Sequence, residues 1–311
     1  MTATLWGDDV QLDGIHHITA VTGNAPGNLD FYTRVLGLRL VKKTVNQDDP
    51  TVYHLFYADD AGSPGADLTF FEYPGAGRGR AGAGMVHRIS IRVGSSEALD
   101  FWAGRLEAEG VATERDGDRL RFSDPEGIGL ELVVTDGRDP ALTAAREDIP
   151  PEMALQGFDG VRVYGTTPER SRRLMDALGF TERDGGGFEL RGPHRGATYD
   201  IDVSTEAGIP GAGTVHHVAF SSTMEDHEAW RERAHEGGAH PTPVIDRFYF
   251  RSIYFREPGG VLFEIATMGP GFATDEPAEH LGEALSLPPD FEHLRDRLEQ
   301  VLTPLGQPTP H

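Results

Sequence analysis

One pattern recurs four times along the chain, and it constrains the fold more than any other feature. The first unit opens at Gly14 with GIHHITA, continues with PGNLDFYTRVLGL and closes with LTFFEYP at 68–74. The second opens at Met85 with MVHRISIRV and closes with DPEGIGLELVV at 124–134. The third runs from GFDGVRVYG at Gly157 to ATYDIDV at 197–203. The fourth runs from TVHHVAF at Thr214 to EPGGVLFEIAT at 257–267. Each opening alternates apolar and polar residues, as a half-buried strand does. A helical spacing follows, with Leu29, Tyr32 and Leu36 ahead of Gly37, and Leu174 and Leu178 ahead of Gly179. Short β-rich runs complete the unit, with Pro-x-Gly turns at Pro125–Gly127 and Pro258–Gly260.

The unit is βαβββ, and one such unit cannot cover its own sheet, so units must pair. The expected class is α+β: four βαβββ modules forming two paired-module domains, with a C-terminal extension. The expected boundaries are an N-terminal domain at 1–135 (modules 12–75 and 83–135) and a linker at 136–153. A C-terminal domain at 154–268 (modules 155–204 and 213–268) and a tail at 269–311, with one helix near 290–302, complete the chain.

Histidine pairs mark only two of the four openings. Units one and four carry IHHI (15–18) and VHHV (215–218), whereas unit two has VHRI (86–89) and unit three FDGV (158–161). The closing hairpins of units two and four align Glu131 with Glu264, each six residues after its proline. Alternate strand residues face one side, so one histidine of each pair points into the cavity that its sheet encloses. Two imidazoles and a carboxylate form a facial triad that leaves positions open on Fe(II) or another divalent ion. His17, His217 and Glu264 fit that set, with parity alone unable to choose between His16 and His17. Arg88 and Glu131 would form an ion pair in a decayed site, so the working site lies between the first and fourth modules. A lone His-His dipeptide is usually structural; two at matched places with a matched glutamate are not. The remaining histidines, His54 and His87 among them, read as surface or locally hydrogen-bonded residues. The run Phe248, Tyr249, Phe250, Tyr254, Phe255 reads as core and cavity wall.

Cysteine is absent, which excludes disulfides, thiolate zinc sites, Fe–S clusters and cysteine nucleophiles. Any metal must sit on His, Asp or Glu. The net charge of −22 argues against nucleic acid and against an anionic membrane surface. Neither a basic-then-apolar leader nor a long apolar run is visible, so a soluble, cytoplasmic protein is expected. Lys42 and Lys43 are the only lysines, which leaves little room for Schiff-base chemistry.

These modules, the paired HH openings and the FEIAT closing strand resemble the vicinal oxygen chelate superfamily. Within it, the chain resembles the hydroquinone ring-cleaving dioxygenases. The stretches LDGIHHITAVTGNAPGNLDFYTRVLGLRL, GAGTVHHVAF, RFYFRSIYFREPGGVLFEIAT and PGFATDEPAEHLGEALSLPP carry that likeness. The resemblance implies that the second histidine of each pair is the ligand, giving His17 and His217 with Glu264. It implies Fe(II), with Mn(II) as the alternative, a small aromatic substrate, O₂, and a homo-oligomer. It also places His16, Thr19, His216, Arg247 and Tyr254 around the substrate, with Arg247 stabilising anionic charge and His216, Tyr254 or His16 moving protons. One alternative is a glyoxalase-like isomerase or lyase with four protein ligands. Aligning Phe71-Glu72 with Phe263-Glu264 offers Glu72 as the fourth. The other alternative is a metal-free binding or resistance protein.

Overall fold

The computed structural model describes residues 10–135 and 137–306. The first nine residues of the expected N-terminal domain, Asp136 of the linker and the last five tail residues lie outside the described residues.

Each module has the predicted order. The first contains β1 (Ile15–Thr22), α1 (Ala25–Asp30, extended by a wider helical turn to Val35), β2 (Arg39–Asn46), β3 (Asp49–Ala58) and β4 (Asp67–Glu72). The second contains β5 (Met85–Val93), α2 (Ser96–Ala108), β6 (Glu114–Asp116), β7 (Arg119–Ser123) and β8 (Gly129–Val134). The third contains β9 (Phe158–Gly165), α3 (Arg172–Ala177), β10 (Thr181–Arg183), β11 (Gly187–Arg191) and β12 (Gly196–Val203). The fourth contains β13 (Thr214–Ser222), α4 (His227–Glu236), β14 (Ile245–Asp246), β15 (Phe250–Arg256) and β16 (Leu262–Pro270). The tail contains α5 (Arg295–Val301), inside the span expected for its helix.

The modules combine across the sequence halves. One eight-stranded sheet runs β14-β15-β16-β13-β1-β4-β3-β2 and unites modules four and one. The other runs β10-β11-β12-β9-β5-β8-β7-β6 and unites three and two. The halves expected at 1–135 and 154–268 are therefore not the sheet units, because antiparallel pairing of opening strands, β1 with β13 and β5 with β9, makes the joins.

Strand alternation divides the first sheet's side chains. Ile18, Ala20, Val218, Phe220, Phe263 and Ile265 enter the large core that also holds Leu29 of α1 and Trp230 of α4. Burying each of the branched and aromatic side chains among these contributes roughly 1.5–3 kcal/mol. The other face carries His17, Thr19 and Glu264, beside a smaller cluster that includes Phe56, Ala219, Phe250 and Ala266. The tail closes that cluster with Phe272 and Leu281. Lys42 on β2, fully buried, pins the tail: its Nζ donates to Asp275 Oδ1 at 2.8 Å and also reaches Glu276.

The sheet curls enough for its edges to meet. Gln47, in the turn between β2 and β3, donates from Nε2 to the carbonyl of Arg247, in the loop after β14, at 2.7 Å. Those strands are the two ends of the eight-stranded order, so the sheet forms a cup.

Candidate functional site

The cup encloses a cavity of about 320 Å³. His17, His217 and Glu264 stand in its wall, and one ligating atom from each lies within 4.8 Å of the others. Register places them. His17 pairs with Ala219 across β1 and β13, and Ala219 pairs with Glu264 across β13 and β16. His217 sits two residues before Ala219, on the same face. His17 Nε2 and His217 Nε2 are 3.2 Å apart, and they lie 3.2 and 2.9 Å from Glu264 Oε2.

Both Glu264 oxygens are buried without a hydrogen-bond donor, despite those short approaches. A buried carboxylate that faces two imidazole nitrogens and lacks a donor fits a divalent ion. Burial alone would raise the Glu264 carboxyl; positive charge facing it, which the two imidazoles supply only when protonated, outweighs burial and holds it well below the usual range. Burial lowers His217, which keeps its ring neutral, as a ligand must be.

The ring protons can be assigned from the network. His16 Nε2 lies 3.2 Å from the Thr267 carbonyl, which can only accept, so that nitrogen carries the proton. Burial, then the neighbouring His17, push His16 down to about 3, so its ring is neutral and its Nδ1 is an acceptor. His17 Nδ1, 2.9 Å away, must be the donor, which leaves a lone pair on His17 Nε2 facing Glu264. His216 Nδ1 and His217 Nδ1 repeat the relation at 2.8 Å.

Two residues expected around the substrate are not in the cavity wall. His16 is turned to Thr267 behind His17. Thr19 is fully buried, and its hydroxyl meets Thr69 Oγ1 at 2.7 Å. Thr69 in turn meets His54 Nε2 at 2.8 Å, and His54 does line the cavity. Strand parity cannot see this relay, nor the bulge between Ile15 and His17 that sets the His16 ring.

His216, Tyr254 and Arg247 do line the cavity. Burial, then His217, lower His216 to about 4. Tyr254 faces Glu264 across β15 and β16, with its ring 5.8 Å from that of His217. Arg247 lies beside Tyr254, its guanidinium 5.5 Å from the ring centre, but its fork is turned to Asp48. The loop that aims Arg247 is tight: Phe248 takes a left-handed φ of 68°, costly for a bulky side chain, and its N–H donates to Asp246 Oδ1 at 2.8 Å.

His54, expected as a surface or locally hydrogen-bonded histidine, also lines the wall, with the turn residues Asn46, Gln47 and Asp48, which the sequence reading did not name. The polar VNQDDP run was the available signal. The His54 ring packs at a tilt against Phe56 and Phe71, with ring centres 3.9 and 4.4 Å away.

Glu72, the alternative fourth ligand, is held elsewhere. It lies outside the cluster, and its Oε1 accepts from Ala25 N at 3.0 Å, satisfying a free donor at the start of α1. The pairing register shows why the alignment misled. Two residues beyond His217, Ala219 pairs with Glu264; two residues beyond His17, Thr19 pairs with Thr69. Thr69 therefore occupies the place symmetric with Glu264. The same step in module two reaches Glu131, opposite Ser90. There Arg88 stands only at 4.0 Å, whereas Arg121 holds Glu131 at 3.0 Å and Arg119 lies closer still. Glu131 is thus neutralised mainly by β7 arginines rather than by Arg88.

Paired βαβββ modules, with a His-His-Glu cluster between the outer two, define a two-domain vicinal oxygen chelate fold. The chain belongs to the Glyoxalase/Bleomycin resistance protein/Dioxygenase superfamily, whose pattern matches residues 14–132 and 157–265. A protein of Bacillus subtilis (strain 168) assigned as ring-cleaving dioxygenase MhqO is 42% identical over 94% of this chain and 96% of its own. The chlorohydroquinone/hydroquinone 1,2-dioxygenase of Sphingobium indicum is 34% identical over 94% of this chain and 96% of its own. The crystal structure of a protein from Bacillus subtilis assigned as a dioxygenase is 40% identical and superposes with a TM-score of 0.88, covering 96% of this chain and 98% of that one. Within the superfamily the chain is an enzyme of the ring-cleaving dioxygenase type. Among the described residues, no helix is long and apolar enough to cross a membrane.

Proposed function

We propose that the chain cleaves a single hydroquinone-type or catechol-type ring with O₂, using Fe(II), or alternatively Mn(II), held by His17, His217 and Glu264. Thr69 carries this reading. A four-ligand glyoxalase-like centre would need a carboxylate in the place symmetric with Glu264, and that place holds a threonine already bonded to Thr19 and His54. Three protein ligands leave positions open for a substrate hydroxyl and O₂. The retained cluster also speaks against a metal-free binding protein. The homo-oligomer and the cytoplasmic location expected from the sequence belong to the same proposal.

Bound there, a divalent ion would acidify a ring hydroxyl and bring the ring and O₂ to adjacent positions. The chain's own groups do the rest. A cavity of about 320 Å³, walled in part by Phe56, Phe71, Phe250 and Leu262, suits one substituted ring. His16, fixed by the Thr267 carbonyl, holds the His17 tautomer and so orients a ligand. His216 can hold or pass a proton at Nε2, and the Tyr254 hydroxyl can donate a hydrogen bond to a developing oxyanion.

Metal analysis after anaerobic loading tests the ligand set. Wild type should bind one Fe(II) or Mn(II) per chain, and Glu264→Gln should weaken binding more than 10-fold (about 1.4 kcal/mol). Unchanged metal binding in Glu264→Gln would refute the assignment.

A further inference from the structure

Charge selection at the cavity mouth deepens the ring-cleaving reading, on which it rests. Arg247 is the one Lys or Arg among the described residues of the cavity wall. A partly buried guanidinium beside a metal centre would ordinarily recruit a substrate carboxylate, because the two planar forks match. Here the fork is already filled. Arg247 Nη1 and Nη2 donate to Asp48 Oδ1 and Oδ2 at 3.0 and 2.9 Å.

Both sides of this clamp are held by their own loops. On the first module, Asp48 N donates to Asn46 Oδ1 at 3.0 Å, an Asx turn that fixes the tip, and Gln47 ties that tip to the Arg247 carbonyl. On the fourth, the strained turn at Phe248 sets the direction of Arg247. Asp48 is 73% exposed, so an isolated pair of this kind would be weak. The bidentate geometry and the fixed backbones keep it in place. A ring carboxylate would have to displace Asp48 or crowd a second anion onto one guanidinium. The rest of the wall offers Val45, Phe56, Phe71, Phe250 and Leu262, which suit apolar substituents. The net charge of −22 further disfavours anionic substrates on approach.

We propose that Asp48 sets the substrate class: by occupying Arg247, it makes the cavity accept neutral rings with apolar substituents and reject rings bearing a carboxylate. Asp48 is thus a specificity-determining residue that acts through Arg247.

The test compares methylhydroquinone with 2,5-dihydroxybenzoate on the full-length, Fe(II)-loaded chain. It reads kcat/KM by oxygen uptake, and binding of the same rings anaerobically by intrinsic fluorescence. Wild type should favour the neutral ring. Asp48→Asn should raise the ratio of carboxylated to neutral ring by about 10- to 100-fold in both readouts, the scale of released charge-assisted hydrogen bonds. Asp48→Glu should keep the wild-type ratio, and adding Arg247→Gln to Asp48→Asn should abolish the gain. An unchanged ratio in Asp48→Asn, or a gain that survives Arg247→Gln, would overturn the proposal. A binding ratio that shifts as expected in a chain that turns over neither ring would sustain charge selection and count against the ring-cleaving reading instead.

Discussion

Lys42→Met tests how the tail and the cavity wall are joined. Lys42 is fully buried on β2, between Asp275 at 2.8 Å, Glu276 and the ring of Tyr249, whose centre lies 4.7 Å from Nζ. Tyr249 lines the cavity and donates from its hydroxyl to Asp275 Oδ2 at 2.8 Å. Removing one partner of a fully buried ion pair costs about 3–5 kcal/mol, chiefly because the remaining charge is left uncompensated. Asp275 is 21% exposed and keeps the Tyr249 hydroxyl, whereas Glu276 is 9% exposed, so the lower end applies, roughly 3 kcal/mol. With a urea m-value of about 3 kcal/mol/M for a chain of this size, the unfolding midpoint should fall by about 1 M. Urea titration followed by fluorescence reads this directly. Combining Lys42→Met with Asp275→Asn and Glu276→Gln should recover most of the loss, since no buried charge then remains unpaired. A loss below about 1 kcal/mol in the single variant, or no recovery in the triple variant, would refute buried charge pairing as what holds the tail.

Further outcomes follow from single side chains. Glu72→Gln should leave metal content unchanged and cost at most about 1 kcal/mol of stability, because Glu72 serves the α1 N-terminus and a neutral amide oxygen still accepts there; loss of the metal in that variant would revive the four-ligand centre. Asp67 is buried without a hydrogen-bond partner, and burial, then Asp59, hold it well above the usual carboxylate range. Its folded pKa is raised, so the stability it contributes is full below its unfolded pKa of about 4 and is lost as pH rises toward the folded value. Asp67→Asn should therefore flatten that slope and leave the protein at least as stable near pH 7; thermal unfolding across pH 4–8 would expose the error if the slope persisted. His54→Phe keeps the ring packing against Phe56 and Phe71 but ends the relay to Thr69, so it should change kcat/KM for the ring without changing metal content; a proportional loss of metal would place His54 among the ligands' supports instead.

Much of the fold was legible because its signal is local and repeated. The βαβββ order and the pairing of modules one and four follow from strand alternation, glycine stops and the two histidine pairs. The sheet grouping across sequence halves was implied by the site and hidden from the domain boundaries, since no local residue pattern states which strands will join. At the site, His17, His217 and Glu264 stand out because they break an apolar strand pattern at equivalent places. Asp48, Gln47 and His54 do not, because curling of the sheet, rather than neighbouring sequence, brings β2 and β3 to the loop after β14. His16 and Thr19, expected around the substrate, stand outside the cavity wall for a related reason: a bulge and a hydroxyl relay decide where their polar atoms go. The Glu72 alignment slipped by three residues because FFE and LFE look alike, whereas register is set by the pairing of β1 with β4.

The most direct measurement of the central claim is isotopic. The chain is loaded anaerobically with Fe(II), mixed with a hydroquinone and exposed to ¹⁸O₂, with oxygen uptake and product mass followed together. One O₂ should be consumed per ring opened, with both ¹⁸O atoms in the product and loss of this activity in Glu264→Gln. Absence of oxygen uptake across hydroquinones and catechols, together with isomerisation of a thiol hemithioacetal by the same loaded protein, would contradict that claim.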